Sequence, residues 1–365
     1  MSDFSINCPI NTVSFGQVST AILREFYKKG LEPCIFPIGG NLDLSTQKEE
    51  KEFSDWITNC SEKALHSHNR DNPIFKLWHL NGSLESLSKD QLLFTFYELD
   101  QPTKQEINIA KNNTKVLVSS NESKNVFNNF GVDNVDVVPL GFDSANFKKT
   151  EKKYFSDERI TFNVVGKFEK RKHHEKLIKA WVKRFGGSKK YFLQCAIYNT
   201  FLKEEDNQKI TNAIMQGQKP FNVSFFGFMG KNDLYNDFLN SGDIVLAMSG
   251  GEGWGLPEFH SVAMGKHAVV LNASSYKEWA NDSNSVLLNP CGKIPVYDGM
   301  FFHEGQPFNQ GNIYDFDEDA FINACEQAIE RVESDRVNKE GLLLQEEFTY
   351  EKTADAIIEQ INTLE

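Results

Sequence analysis

Residues 249–270 read SGGEGWGLPEFHSVAMGKHAVV, and they carry the clearest signal in the chain. An acidic residue and four closely spaced glycines precede a proline and an amphipathic run. Glycine lets a main chain approach a ligand closely, and Pro257 suits the first turn of a helix that we predict from Glu258 to Gly265. The free N–H groups at such a helix start attract anions. The stretch therefore predicts an anion-binding turn between a strand and a helix, although a glycine-rich turn without a ligand fits the same residues.

The rest of the chain alternates short apolar segments with amphipathic helical patterns over most of its 365 residues. This alternation is typical of βαβ units and parallel sheets. Residues 143–157 are polar, rich in lysine and without apolar periodicity, so they resemble a linker. We therefore predict an α/β protein with two parallel-sheet domains, residues 1–150 and 151–345, that face each other across a cleft. The remaining residues, 346–365, are predicted to form a helix.

The composition excludes several classes of protein. Lysine and arginine total 39 against 51 acidic residues, a net charge of −12, which argues against indiscriminate nucleic-acid binding. Six cysteines without a CxxC pair indicate reduced thiols rather than a zinc site or disulfides. The first residues lack the pattern of a signal peptide, and no apolar run is long enough to span a membrane. We expect a cytoplasmic protein.

A second motif, GKFEKRKHH at residues 166–174, follows the predicted strand Ile160–Val165. Ligands of α/β sheets bind at the carboxyl ends of strands, and a cluster of cations after one glycine suits phosphate. A solvated basic turn is the alternative for this segment alone. The glycine-rich stretch at another strand end of the same domain favours a ligand site.

Together these motifs resemble the family 4 glycosyltransferases of GT-B fold, which transfer a sugar from a nucleotide-sugar donor with retention of anomeric configuration. The resemblance implies two Rossmann-like domains and a closing helix that crosses back onto the first domain, here FTYEKTADAI near the C-terminus. Its donor motifs are matched by Gly166, Lys167 and Lys172, by VSFFGF at 223–228, and by EGWGLPEFH at 252–260. In the first domain, FTFYELDQP and VDVVPLGFDSANF are similar to the family as well.

The resemblance also implies roles for individual residues. Lys167 and Lys172 would supply the charge that stabilises the leaving diphosphate, and Glu252 would accept hydrogen bonds from the donor sugar. These three are the predicted catalytic residues. The predicted donor-binding residues are Gly16, Gly166, Arg171, Gly227, Phe228, Trp254, Gly255, Leu256 and His260. His79 and Glu98, at strand ends of the first domain, are candidates for contacts to the acceptor or the sugar.

Two positions depart from the family pattern. The second glutamate of the family, which holds the nucleotide ribose, falls on His260, and Lys167 replaces an arginine. Glu258 lies two positions before His260, and each helical position corresponds to about 100°, so the two side chains are predicted to point in different directions. Histidine can bind a ribose hydroxyl, but it accepts through only one nitrogen when neutral.

The sequence thus predicts a retaining glycosyltransferase that uses a UDP- or GDP-sugar, with UDP favoured, and that requires neither a cofactor nor a metal. The residues Asp315 and Asp317 imitate a metal-binding DxD motif, but they precede a helix and are better explained as its cap. The long aromatic segment 290–310 is expected to line the cleft or the acceptor side. Glycans, lipids and modified DNA bases are all possible acceptors, the last because the Asn-, Lys- and Phe-rich composition suggests an AT-rich genome such as a viral one. A nucleotide-sugar-binding protein without catalytic activity is the alternative.

Overall fold

The computed structural model describes residues 3–364, which form two six-stranded sheets and one separate hairpin. The first sheet contains β1 (Ser5–Ile10), β2 (Cys34–Leu42), β3 (Ile74–Leu77), β4 (Gln91–Phe94), β5 (Lys115–Val118) and β6 (Val135–Val137). All neighbouring strands are parallel, in the order β2-β1-β3-β4-β5-β6. The helices between them are α1 (Ser14–Lys28), α2 (Lys51–Ser67), α3 (Lys104–Asn112) and α4 (Asn121–Asn129).

The second sheet repeats this architecture after residue 150. Its strands are β7 (Ile160–Val165), β8 (Tyr191–Ala196), β9 (Val223–Phe225), β10 (Ile244–Ala247), β11 (His267–Leu271) and β12 (Val286–Leu288). They are parallel in the order β12-β11-β10-β7-β8-β9. Its helices are α5 (His174–Phe185), α6 (Glu204–Met215), α7 (Asn232–Ser241), α8 (Leu256–Ala263) and α9 (Glu318–Ser334). The predicted α/β class with two parallel sheets is confirmed.

The central strands explain why the fold could be predicted from the apolar pattern. Every residue of β7, β10 and β11 is buried, because helices cover both faces of a parallel sheet. Such strands are nearly continuous apolar runs, and each run is followed by a loop at the same edge of the sheet. The two motifs follow β7 and β10, which are hydrogen-bonded neighbours.

The end of the chain returns to the first domain, as predicted. After the short helices α10 (Lys339–Leu342) and α11 (Leu344–Glu347), helix α12 (Tyr350–Asn362) packs against α1. Ala354, Ile357, Ile358 and Ile361 are buried there in the hydrophobic core that includes α1. The crossing point is fixed by a hydrogen bond of 2.9 Å from the Phe142 N–H to the Phe348 carbonyl.

The long aromatic segment 290–310 contains secondary structure at its edges. The antiparallel strands β13 (Gly292–Pro295) and β14 (Asn312–Asp315) flank a long connection, and we call residues 292–315 the bridging hairpin. Its apolar side chains enter the core of the first domain, where Val296, Phe302 and Ile313 are buried with Tyr97, Leu99 and Ile109. The bridging hairpin thus connects the second domain to the core of the first.

The burial of Phe302 predicts a stabilising role for the bridging hairpin. Truncation in Phe302→Ala should lower the free energy of unfolding by about 3 kcal/mol, because it removes apolar contacts and leaves a cavity. Thermal unfolding of the two chains measures this difference. Phe221→Ala is the matched control, since Phe221 is 63% exposed and should change stability little. Equal melting temperatures for wild type and Phe302→Ala would contradict the assigned packing.

Candidate functional site

The loops after β7 and β10 bring the two sequence motifs together. Residues 170–172 form a short 3-10 turn, and residues 249–255 form the loop that precedes α8. Glu252 of this loop accepts hydrogen bonds from Lys172 and from Arg171, the latter at 2.9 Å. Gly166 has φ of +89°, and the Lys172 side chain packs against it, so that a Cβ at residue 166 would lie 3.1 Å from Nζ. Four predicted site residues are therefore in one cluster.

Arg171 connects this cluster to the first domain. Its guanidinium forms ion pairs with Glu98 at 3.0 Å, with Glu169 and with Glu252, and it donates to the Gly251 carbonyl at 2.7 Å. Glu98 belongs to the first domain, four residues beyond β4. Arg171 is predicted to bind the donor, and the structure places its guanidinium among three carboxylates. A buried guanidinium needs such partners, because an unpaired charge is costly in the interior.

Carboxylates outnumber cations in this region by one. The carboxylates are those of Glu98, Glu169, Glu252 and Glu258, and the cations are Lys167, Arg171 and Lys172. Burial disfavours the charge of Glu252, but Arg171 and Lys172 outweigh this effect and lower its pKa to about 2. Burial likewise opposes the charge of Lys172, but Glu252 and Glu258 raise its pKa above the usual value. The Lys172–Glu252 pair is therefore ionised at neutral pH.

Glu98 and Glu258 behave differently from Glu252. Burial raises the pKa of Glu98 to about 7 against the attraction of Arg171, and nearby Glu252 and Glu169 add to the increase. Burial also raises the pKa of Glu258 to about 7, although Lys172 opposes the shift. Protonation of these two carboxylates near neutral pH thus reduces the excess of negative charge in this region.

Lys167 lies apart from the Lys172–Glu252 pair. Its Nζ contacts Glu169 at 2.6 Å and lies over the rings of Phe201 and Phe301, at 4.6 and 4.4 Å from their centroids. Burial lowers the pKa of the His79 imidazole in the first domain, and the charge of Lys167 adds to this effect. The His79 ring packs on Phe15 at 4.4 Å between centroids. The structure therefore brings Lys167 and His79 together where the two domains meet.

The glycines of residues 250–255 make close contacts with the protein itself. A Cβ at Gly253 would lie 2.6 Å from the Phe96 Cβ, and one at Gly251 would lie 2.4 Å from the Glu98 carbonyl oxygen. Both neighbours belong to the first domain, and the Ser119 hydroxyl donates to the Gly253 carbonyl. We expected the glycines to let the backbone reach a ligand. In the structure, all four allow close packing on other parts of the chain, since a Cβ at Gly250 would lie 2.1 Å from the Tyr314 carbonyl oxygen and one at Gly255 would lie 2.3 Å from the Tyr276 ring.

Trp254 and His260 were predicted to bind the donor, but their side chains are in the protein core. Trp254 is 2% exposed and packs against Phe259 and Phe348. The Nδ1 of His260 donates to the Leu256 carbonyl at 2.6 Å, and its Nε2 accepts from the Asp143 N–H at 3.2 Å. Neither imidazole nitrogen is free for a ribose hydroxyl. The structure thus gives no support to a donor-binding role for either residue.

The other predicted residues lie at strand or helix ends. Gly16 was expected in the turn after β1 but lies in the first turn of α1, where a Cβ would be 2.1 Å from the Asn11 carbonyl oxygen. Gly227 and Phe228 follow β9 and are exposed. Gly255 has φ of +78° and precedes Leu256, the first residue of α8, so both backbone N–H groups are at the helix start.

The interpretation of Asp317 as a helix cap is confirmed, because its carboxylate accepts from the Ala320 N–H at 2.9 Å. Within residues 3–364, no group of three His, Cys, Asp or Glu side chains is arranged to hold a metal ion. No helix of this part of the chain is long and apolar enough to cross a membrane.

The site cluster also contains three residues that the sequence did not predict, namely Glu169, Glu258 and Tyr276.

The raised pKa of Glu98 predicts a pH-dependent stability difference. Between about pH 4.5 and 7 the folded chain keeps a proton on Glu98 that the unfolded chain has released, so this group lowers stability as the pH rises. Glu98→Gln removes the effect. The free energy of unfolding of Glu98→Gln, relative to that of wild type, should therefore increase from pH 5 to pH 7.5. We expect an increase of only about 1 kcal/mol, because the Glu98 side chain is partly accessible to solvent.

Urea unfolding at pH 5 and at pH 7.5 measures this difference in stability. The buried histidines contribute equally to wild type and to Glu98→Gln, so they do not affect the comparison. Glu205→Gln on the exposed face of α6 is the matched control and should show no pH-dependent difference from wild type. A constant difference between Glu98→Gln and wild type would show that Glu98 titrates normally.

Comparisons with known proteins agree with this geometry. Residues 146–293 match the family model described as "Glycosyl transferases group 1". No curated protein sequence matches the chain. Similar solved structures include the sucrose-phosphate synthase tll1590 of Thermosynechococcus elongatus, with a TM-score of 0.71 and 12% identity over 100% of this chain and 99% of that one.

Two further structures cover almost the whole chain. HepE (Alr3699) of Anabaena, solved in complex with UDP-glucose, has a TM-score of 0.66 and 13% identity over 99% of both chains. A glycosyltransferase of Rickettsia africae has a TM-score of 0.68 and 11% identity over 99% of this chain and 98% of that one. At these identities the structures establish the fold, and the family match adds the class of enzyme. Residues 146–293 thus form a glycosyl transferases group 1 domain, and the chain is a glycosyltransferase of the GT-B fold.

Proposed function

We propose that this protein transfers a sugar from a nucleoside-diphosphate sugar, with UDP as the favoured nucleotide, to an acceptor bound mainly by the first domain. The observation that carries the proposal is the buried Lys172–Glu252 pair beside the first turn of α8. A cation and free helix N–H groups at one strand end form a site for a diphosphate. The Anabaena protein of the same fold was solved with UDP-glucose, which supports UDP as the nucleotide here.

The chemistry follows from the charge that develops on the leaving group. When the glycosidic bond breaks, the nucleoside diphosphate gains negative charge, and fixed cations and N–H dipoles stabilise it in the transition state. Lys172 supplies the nearest charge, and the N–H groups of Gly255 and Leu256 supply dipoles. Lys167 is held by Glu169 between two aromatic rings, and it adds to the positive potential from the outer side of the site.

Glu252 has the geometry of a group that orients the donor sugar. Its Oε1 is bound by Lys172 and Arg171, so the carboxylate is fixed and ionised. A fixed carboxylate next to the diphosphate lysine can accept hydrogen bonds from sugar hydroxyls. We further propose transfer with retention, in which the acceptor attacks on the face that the leaving group vacates and a donor phosphate oxygen takes its proton. This route requires no protein nucleophile.

The charges of the protein also bear on whether a divalent metal is required and on which acceptor is used. Lys172 and Lys167 provide the positive charge that a divalent metal would otherwise give to the diphosphate, so we propose turnover that is insensitive to EDTA.

Glycans and lipids are favoured over DNA as acceptors because the net charge is −12. Duplex DNA binding that falls steeply with salt would instead support a modified DNA base as the acceptor.

The test is donor turnover by the purified chain. A panel of nucleotide sugars is first ranked by thermal shift, and consumption of the best donor is then followed by mass spectrometry. Lys172→Ala should reduce turnover by about 100-fold or more, because it removes the charge nearest to the leaving group. Lys179→Ala is the control and should retain wild-type turnover, because Lys179 is on helix α5, partly exposed, and pairs with Glu175.

Two results would contradict the proposal. Full activity of Lys172→Ala would refute the assignment of the site. A donor that binds tightly to the wild type but is never consumed, with any acceptor or with water, would favour the non-catalytic nucleotide-sugar-binding alternative.

A further inference from the structure

His173 is a buried residue with an unusual backbone conformation, and it directly follows Lys172, the lysine that we assign to the diphosphate. It precedes α5 with φ of +53° and ψ of +21°, in the left-handed region. A residue with a Cβ adopts this region at a cost in free energy, whereas glycine adopts it freely. Such strain persists only where the surrounding structure compensates for it. The contacts of the His173 side chain are therefore the place to look for the compensation.

The imidazole of His173 is attached to the end of the bridging hairpin. The ring is buried, and its Nε2 donates to the Tyr314 carbonyl of β14 at 2.7 Å. A carbonyl oxygen only accepts, so the ring proton is on Nε2. Burial lowers the pKa of the imidazole against the opposing effect of Asp315, so the ring is neutral at neutral pH. The ring also packs on Phe316, with centroids 5.4 Å apart.

Tyr314 connects this point to the other sequence motif and to the first domain. Its N–H donates to the Gly250 carbonyl at 2.9 Å, and the Gly250 N–H donates to the Arg171 carbonyl at 2.7 Å. The Tyr314 hydroxyl donates to Glu122 of α4, in the first domain, at 2.8 Å. We call residues 170–172 the cationic turn. The cationic turn is thus held to β14 at two points, by Arg171 through Gly250 and by the adjacent His173 directly.

The position of the Lys172 charge depends on how firmly the cationic turn is held. The His173 N–H donates to the Lys170 carbonyl at 3.0 Å, which closes the turn. Lysine carries its charge on a flexible four-carbon stem, so the ammonium is placed only as well as the backbone that carries it. A shift of about 1 Å in a reacting group can cost about 100-fold in rate.

We propose that His173 is a positioning residue for Lys172, and that its imidazole fastens the cationic turn to the bridging hairpin and thereby to the first domain. The proposal rests on the proposed function, because it takes Lys172 to be the residue that stabilises the leaving diphosphate. His173 acts through its neighbour, since its one N–H is used within the chain.

A role in forming the turn alone would give a different result. If only the left-handed conformation matters, glycine is the better residue, and His173→Gly should keep full turnover. If the imidazole positions Lys172, the same variant should lose turnover although its backbone is less strained. His173→Gln separates the ring from its hydrogen bond, because the glutamine amide supplies an N–H donor in place of Nε2.

The experiment compares kcat and KM of wild type and variants for the nucleotide sugar that ranks first in the thermal-shift panel. We expect His173→Gly to lower kcat about 10-fold and to change KM less than about 3-fold, because transition-state stabilisation is lost while donor binding is retained. His173→Gln should recover most of this loss. Gln216→Gly is the matched control and should keep the wild-type kcat, because Gln216 also has a left-handed backbone, with φ of +48°, but an exposed side chain after α6.

Wild-type kcat in His173→Gly would overturn the inference and leave the proposed function intact. An equal loss in His173→Gly and His173→Gln would also overturn it, because the hydrogen bond would then not be the cause. A wild type that consumes no donor would instead refute the proposed function, and the inference with it. If His173→Gly does not fold, His173→Asn replaces it, because asparagine tolerates the left-handed conformation and its side chain is shorter than the imidazole.

Discussion

The arrangement of the two domains depends on the buried guanidinium of Arg171. A charge in the interior must be paired, and the planar guanidinium can bind several oxygens at once. Arg171 binds Glu98 of the first domain and Glu252 of the second, and its own carbonyl accepts hydrogen bonds from the Gly250 N–H and the Ser249 hydroxyl. The carboxyl ends of β4, β7 and β10 are therefore joined through one side chain. Lys172, the next residue, takes its position from this network.

The sequence predicted the parts of the fold that local patterns encode. The buried strands β7 and β10 are apolar runs followed by motifs, so both the sheet and the meeting of Gly166, Lys172 and Glu252 could be foreseen. The bridging hairpin could not, because its strands have four residues each and its apolar side chains are buried by the other domain. Helix α6 was missed because it is mostly polar and buries only Asn207 and Ile214.

The direction of side chains was the least predictable property of the site. The pattern EGWGLPEFH does not reveal that Trp254 packs in the core, since an aromatic residue suits a core and a ligand site equally well. The pairing of Arg171 with Glu98 joins residues 73 positions apart and depends on how the domains pack. The departure at His260 was visible in the sequence, but only the structure shows that both imidazole nitrogens are used within the chain.

The excess of one carboxylate over the cations bears on how a diphosphate can bind. If a nucleotide-sugar donor binds here, as proposed, it adds negative charge to a cluster of four carboxylates and three cations, so neutralising a carboxylate favours its binding. Glu252 contacts two cations, and Glu169 contacts Lys167 and Arg171, whereas Glu98 contacts only Arg171, which it shares with both. Glu258 forms no ion pair within residues 3–364, so Glu98 and Glu258 are the two carboxylates whose charge is least compensated. Under the proposed function, a bound diphosphate would add negative charge near both carboxylates and so would raise the pKa of each further.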